Sequence, residues 1–229
     1  MIVEVREKVG KKYLITVNGE PYCRCYPGDL RGLGITEIVE GLETEVSAEV
    51  LAEYERTVFL PRAKRRSLLL LGKKEYTKRE MTKKLANDGY PESVTEAVLD
   101  WLAELRYVED VAYAERYAFH LLARHSEREI VQKMQLKGFE KDLIKESIVA
   151  AKERYREEYT EGTEYSETAG EAMSPEQEAI RTFLRKKGYR SETADEEKKK
   201  KLVMSLYRKG FAFSDIRAII GEFEGDSEF

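Results

Sequence analysis

Cysteine, histidine and tryptophan are nearly absent from this 229-residue chain, which has two, two and one of them. Cys23 and Cys25 lie two positions apart, too close for an ordinary disulfide framework, and predict a reducing compartment, the cytoplasm. They would share one face of a strand as half of a metal site, but there is no second cysteine pair to complete it. His120 and His125 are five apart and miss the four-residue step of a helical zinc pair. The stretch Leu70-Leu71-Gly72-Lys73-Lys74 lacks the first glycine and the hydroxyl of a phosphate-binding loop. With no nucleophile, positioned base or metal set in view, the sequence predicts no enzyme, no catalytic residue, no metal and no cofactor. Long apolar runs are missing too, and mean hydropathy is −0.59, which excludes a membrane-spanning helix. The start, Met1-Ile2-Val3-Glu4, lacks the basic-then-apolar pattern of a secretion signal.

Charge is what the chain has in excess. Charged residues make up 37%, against the usual quarter or so, and the net charge is −4. That sum hides zoning, which matters more for a polyanionic partner. From Arg62 to Lys84 there are ten basic residues and two acids. Glu157 to Glu178 holds acids and neither Lys nor Arg, and a second basic stretch covers Arg185 to Lys187 and Lys198 to Lys201.

A motif recurs along the chain. Thr77 and Glu80, then Ser126 and Glu129, have the hydroxyl-x-x-Glu spacing of a capping box. Apolar pairs follow one turn apart (Met81/Leu85, Ile130/Met134), and each copy closes on glycine and an aromatic, Gly89-Tyr90 and Gly138-Phe139. Glycine there supplies the left-handed residue that ends a helix. A third, looser copy runs through Leu202, Leu206, Gly210 and Phe211, with Lys198 and Lys201 where the box would be. Recurring helical units bury their apolar faces on one another and usually serve as binding scaffolds.

The predicted fold is mostly α, with three tandem three-helix repeats behind a small N-terminal β-meander. Residues 2–26 alternate as strands with an Asn18-Gly19 hairpin turn. Pro27 to Gly34 reads as loop, and a helix over 47–59 has Val50, Leu51, Tyr54 and Val58 on its inner face. No strand is expected after Pro61. The domains are drawn at 1–60 (β element and helix), 61–108, 109–156 and 174–223 (the repeats), with a flexible acidic linker at 157–173 and a tail at 224–229. In the linking segments, Val94, Val98, Trp101, Leu102 and Leu105 form one helix stripe, and Val111, Ala114, Ala118 and Leu121 another. Ser174-Pro175-Glu176-Gln177 restarts a helix after the linker.

On the helix 77–88, Arg79 and Lys83 fall opposite Met81 and Leu85, on the exposed face. The equivalent positions are Arg128 and Gln132 in the second copy, and the third copy offers Lys200. With Arg65, Arg66, Lys73, Lys74, Lys78 and Lys84 the cations among them form the candidate binding surface for a polyanion.

The join Tyr107-Val108-Glu109-Asp110-Val111-Ala112-Tyr113-Ala114-Glu115-Arg116-Tyr117, together with the repeated box and Gly-aromatic, resembles the RecX family of bacterial recombinase regulators. Asp110 is suited to cap the helix it precedes, and Tyr113 and Ala114 to pack it. The resemblance covers residues 1–156 well and 174–223 weakly. It implies a monomer that binds the RecA recombinase filament, touches single- or double-stranded DNA weakly or indirectly, and restrains strand exchange and ATP turnover. The alternative reading is a DNA-binding protein of tandem helix-turn-helix-like modules acting without recombinase. The acidic net charge favours the first.

Overall fold

The computed structural model describes residues 1–160, 173–189 and 196–225 and divides into two units, Met1–Glu109 and Asp110–Phe229. The first unit opens with strands β1 (Ile2–Val9), β2 (Lys12–Val17) and β3 (Glu20–Cys25). Asn18 and Gly19 both take positive φ, 50° and 87°, as a two-residue turn matched to strand twist requires. Pairing is antiparallel, with Val5 opposite Ile15 and Ile15 opposite Cys23.

Two elements differ from expectation here. Pro27–Gly32 is a short helix, α1, and not loop: the Asp29 carboxylate accepts from Tyr26 N at 2.8 Å and Leu30 is fully buried. A fourth strand, β4 (Glu43–Glu45), pairs with β1 and completes the order β3-β2-β1-β4.

Helix α2 (Ala48–Tyr54) runs through a π-helical turn (Glu55–Phe59) into α3 (Leu60–Leu71). Leu60 N bonds Glu55 O, five residues back, at the turn that leads into Pro61. Pro61 has no N–H to donate and its ring crowds the preceding turn, so a wider turn carries the helix past it without a break. Leu51 is the buried residue of α2, while Val50 faces solvent. α4 (Lys78–Asp88) and α5 (Glu92–Glu104) complete the first triplet. Met81, Leu85, Val98 and Leu102 share one core with Val3, Val5, Ile15, Leu51 and Phe59. Leu105 lies beyond the stripe and is exposed.

The second unit holds α6 (Asp110–Leu122), α7 (Glu127–Lys137), α8 (Lys141–Thr160), α9 (Pro175–Lys186), α10 (Glu196–Lys209) and α11 (Phe213–Gly225). No strand follows Pro61 among the described residues. The segment expected as a linker, 157–173, is helical to Thr160, and residues 161–172 lie outside the described residues. The tail beyond Gly225 lies outside them as well. One core gathers Ala114, Ala118, Leu122, Ile130, Met134 and Ile144, and another Ile180, Leu184, Leu206, Ile216 and Ile219. Val111, expected inside, is 60% exposed; Tyr113 takes the inner place and meets Phe139 edge-on at 5.5 Å. Asp110 is the first residue of α6, inside its first turn and not ahead of it.

The repeated motif is built as its residues dictate. Thr77 Oγ1 accepts from Glu80 N at 3.0 Å while Thr77 N donates to the Glu80 carboxylate at 3.1 Å. Ser126 and Glu129 reciprocate at 3.2 and 3.4 Å, and Ser174 with Gln177 at 3.2 and 2.9 Å. Gly89, Gly138 and Gly210 take φ of 90°, 90° and 97°. Leu202 departs from its counterparts: Met81 and Ile130 are buried, whereas Leu202 packs at the core's edge.

Candidate functional site

Helices α3 and α4 hold eight of the ten basic residues between Arg62 and Lys84, and their partners sort them into two groups. Some are committed within the unit. Arg66 Nε donates to Asp88 at 2.7 Å, Lys74 sits 3.6 Å from Glu80 and over the Tyr76 ring, and Lys64 lies over Trp101 at 4.6 Å. Arg62 is fully engaged: its two terminal nitrogens grip both oxygens of Asp29 at 3.0 Å. Arg65, Lys73, Arg79, Lys83 and Lys84 are exposed and make no ion pair among the described residues. Lys78 is exposed as well. Arg79 and Lys83 stand one turn apart on α4, on the face away from the fully buried Met81 and Leu85.

Asp29 is the anchor beneath this surface. Its side chain is 5% exposed, and it accepts from Tyr54 Oη at 3.1 Å besides Tyr26 N and Arg62. Burial by itself would raise its pKa, but the Arg62 hydrogen bonds and the Tyr26 amide outweigh it and hold the carboxyl below the ordinary aspartate value. Burial and the same carboxylate push the Tyr54 hydroxyl up to about 12. The arrangement ties α1 to α2 and to the start of α3, and so fixes the helix that carries Arg65.

The C-terminal end of α4 is met by the sheet. Arg24 N donates to Gly89 O at 2.8 Å, Arg24 Nη1 to Asn87 O at 3.1 Å, and Lys12 Nζ to Asp88 O. Cations here complement the negative end of the helix dipole. A side chain on Gly89 would put its Cβ 2.5 Å from Arg24 Cβ, so glycine is required by contact as well as by φ.

Arg128 and Lys200, the equivalents of Arg79, have different surroundings. Lys200 is exposed on α10. Arg128 packs on Gly210, where an added Cβ would lie 2.9 Å from Arg128 Cβ. Around it Ser126 Oγ donates to Lys209 O, Lys209 Nζ bonds Glu129 at 2.6 Å, and Lys152 bridges Glu127 and Glu176 at 2.8 Å each. The box of the second triplet therefore also binds the third. The Lys209 bond, working against burial, holds the Glu129 carboxyl below its usual value. The sequence placed Arg128 in the binding surface from its register alone, which carries no sign of Gly210, 82 residues downstream.

The remaining polar candidates have local roles. The Cys23 and Cys25 thiols are buried with sulfurs 3.4 Å apart, and that contact, then burial, pushes the Cys23 thiol up. His125 Nδ1 lies 3.4 Å from Glu129, and burial, then Lys133, lowers its pKa. No cluster of three or more His, Cys, Asp or Glu able to hold a metal occurs among the described residues.

Known proteins share this architecture. Residues 63–102 match the family description "RecX, first three-helix domain" and residues 175–220 match "RecX, third three-helix domain". A regulatory protein RecX of Clostridium tetani is 23% identical over 96% of this chain and 92% of its own. One from a Mycobacterium species is 34% identical over 40% of this chain and 52% of its own. The crystal structure of a regulatory protein RecX superposes with a TM-score of 0.53 at 18% identity, covering 96% of this chain and 99% of that one. RecX from Lactobacillus salivarius superposes at 0.50 with 18% identity, over 72% and 96%.

Proposed function

The chain belongs to the RecX family, and from that premise we propose that it is a cytoplasmic, monomeric regulator that binds RecA recombinase filaments on DNA and restrains their strand exchange and ATP turnover. It acts by binding, without chemistry of its own. The observation that carries this reading is the set of exposed cations Arg65, Lys73, Arg79, Lys83 and Lys84, unpaired among the described residues, on a chain of net charge −4. A nucleoprotein filament is a polyanion, and cations not already neutralised by neighbours attract it through its phosphates and counterion release. Arg66 and Lys74 are held by Asp88 and Glu80 and contribute less. No helix among the described residues is long and apolar enough to cross a membrane.

The test is the double change Arg79→Glu/Lys83→Glu. Both side chains lie on the outer face of α4, so folding stability should move by about 0.5 kcal/mol or less. Inhibition of recombinase ATP turnover should weaken several-fold. The salt slope of log affinity should fall by about 0.7–0.9 for each phosphate the variant no longer neutralises. Unchanged inhibition by a folded double variant would reject this surface. Binding of naked DNA as tight as binding of filaments would favour the helix-turn-helix alternative.

A further inference from the structure

The sheet meets the end of α4 at a cleft that the reading above leaves unused. β3 is an edge strand, and its register skips one residue: Ile15 pairs with Cys23 and Thr16 with Pro21, so Tyr22 bulges. A bulge re-aims the side chain it carries, and bulges gather at sheet edges and beside sites. Tyr22 lines a cleft of about 370 Å³ among β3, α4 and α5, within the roughly 300–1,000 Å³ of small-molecule sites. Its hydroxyl oxygen is buried and has no hydrogen-bond partner among the described residues. Folded chains seldom leave a buried hydroxyl in that state, so a partner from outside the chain is the natural completion.

The cleft also presents one poised cation. Among the described residues that line it, Arg24 is the single base, and Glu92, exposed at the start of α5, the single acid. Arg24 is fixed in place: its N donates to Gly89 O at 2.8 Å, its Nη1 to Asn87 O at 3.1 Å, and its stem lies on Gly89. The Nε–Nη2 edge of the guanidinium makes no hydrogen bond or ion pair among the described residues. Two parallel N–H groups at such an edge match the two oxygens of a carboxylate. Leu14, Pro21, Ala86 and Tyr90 give the cleft apolar walls.

We propose that this cleft binds a small organic monocarboxylate, its charged end held by the Arg24 guanidinium and the Tyr22 hydroxyl, its apolar body against Leu14 and Tyr90. One cation in an apolar cleft of this size suits one carboxylate. A polyphosphate or a nucleic-acid strand takes several cations spread along a groove. The ligand bridges β3 and α4, and so bears on the helix that presents Arg79 and Lys83. Binding needs neither recombinase nor DNA, so this proposal and the reading of the basic surface fail separately.

The experiment titrates the full chain with 4-methylbenzoate, and in parallel with the uncharged 4-methylbenzamide, following the backbone amides of Arg24, Ala86 and Tyr90 by nitrogen-15 NMR. The carboxylate should shift all three along one saturable curve, and the amide should bind at least about tenfold more weakly. Arg24→Gln keeps the three stem carbons over Gly89, and Tyr22→Phe keeps the ring; each should weaken the carboxylate about tenfold. Ala86→Trp, at an exposed position of the wall, should abolish binding by filling the cleft. Four outcomes would overturn the proposal: no saturable shift with the carboxylate, equal affinity for the two probes, or wild-type affinity in either Arg24→Gln or Ala86→Trp. The first two are read on the wild-type chain and hold whether or not a variant folds. Displacement of the carboxylate by an equal concentration of oligothymidine would overturn the small-ligand assignment.

Discussion

Replacing Asp29 by Asn keeps the size of the side chain and removes its charge, and the surroundings of Asp29 let the cost be worked out. The carboxylate accepts four hydrogen bonds, two to each oxygen: Tyr26 N and Arg62 Nη1 on Oδ2, Tyr54 Oη and Arg62 Nη2 on Oδ1. An amide offers one acceptor oxygen: with its NH2 toward Tyr26 N and Arg62 Nη1 it loses both of those bonds. Turned the other way it can donate to Tyr54 Oη but loses Arg62 Nη2, so at least one Arg62 bond goes and the rest lose their charge. Bonds to a charged group are worth about 1.5–3 kcal/mol each. Arg62 is 38% exposed, so water can replace part of its share, which puts the net cost near 2–3 kcal/mol.

Urea unfolding followed by Trp101, the single tryptophan and a residue of the same unit, measures this cost. The pH dependence supplies a second readout. Because the folded carboxyl titrates below the unfolded value of about 3.9, its contribution is fully present above that pH. It is lost as pH falls through the lower folded value, so the gap between wild type and Asp29→Asn should close in acid. A loss under about 1 kcal/mol at neutral pH, or a gap that persists unchanged in acid, would refute the assignment of this energy to the ionised carboxylate.

Gly89→Ala should cost about 1–2 kcal/mol for the left-handed backbone and more for displacing the Arg24 stem, whereas Gly19→Ala, with open space around it, should cost only the backbone share; urea melts of both variants compare them. Ser126→Ala should remove about 0.5–2 kcal/mol by uncapping α7 and should also speed amide exchange at the end of α10, because Lys209 O loses its donor. Protection at α10 equal to wild type would mean that the second triplet's box does not hold the third.

The helices were legible because their signals are local. Capping boxes, apolar steps of four and left-handed glycines each occupy fewer than fifteen residues, and they reappear as built at Thr77–Gly89 and Ser126–Gly138. What escaped was set at a distance. Glu43–Glu45 has no strand composition and is extended because β1 offers it an edge about forty residues earlier. Pro27–Gly32 has a proline and two glycines in six residues, and is helical because Asp29 is held by Tyr26, Tyr54 and Arg62. Within the basic surface, exposure of Arg79 and Lys83 follows from helical phase. The commitment of Arg66 to Asp88, and of Arg128 to Gly210, depends on tertiary neighbours that no periodicity announces.

The contact of β3 with the end of α4 bears on how an array of like units begins. In the second unit, Arg128 of one triplet covers the closing glycine of the next. At Gly89 the covering stem is that of Arg24, on a strand, which also bonds the Asn87 and Gly89 carbonyls, with Lys12 serving Asp88. The meander thus acts as an end-stop, occupying the place that a preceding repeat would fill. A chain shortened to begin at Ala48 would leave three helix-end carbonyls without these donors and strip the sheet from Met81 and Leu85. Keeping those carbonyls and that core from water is what the small sheet does for the first triplet.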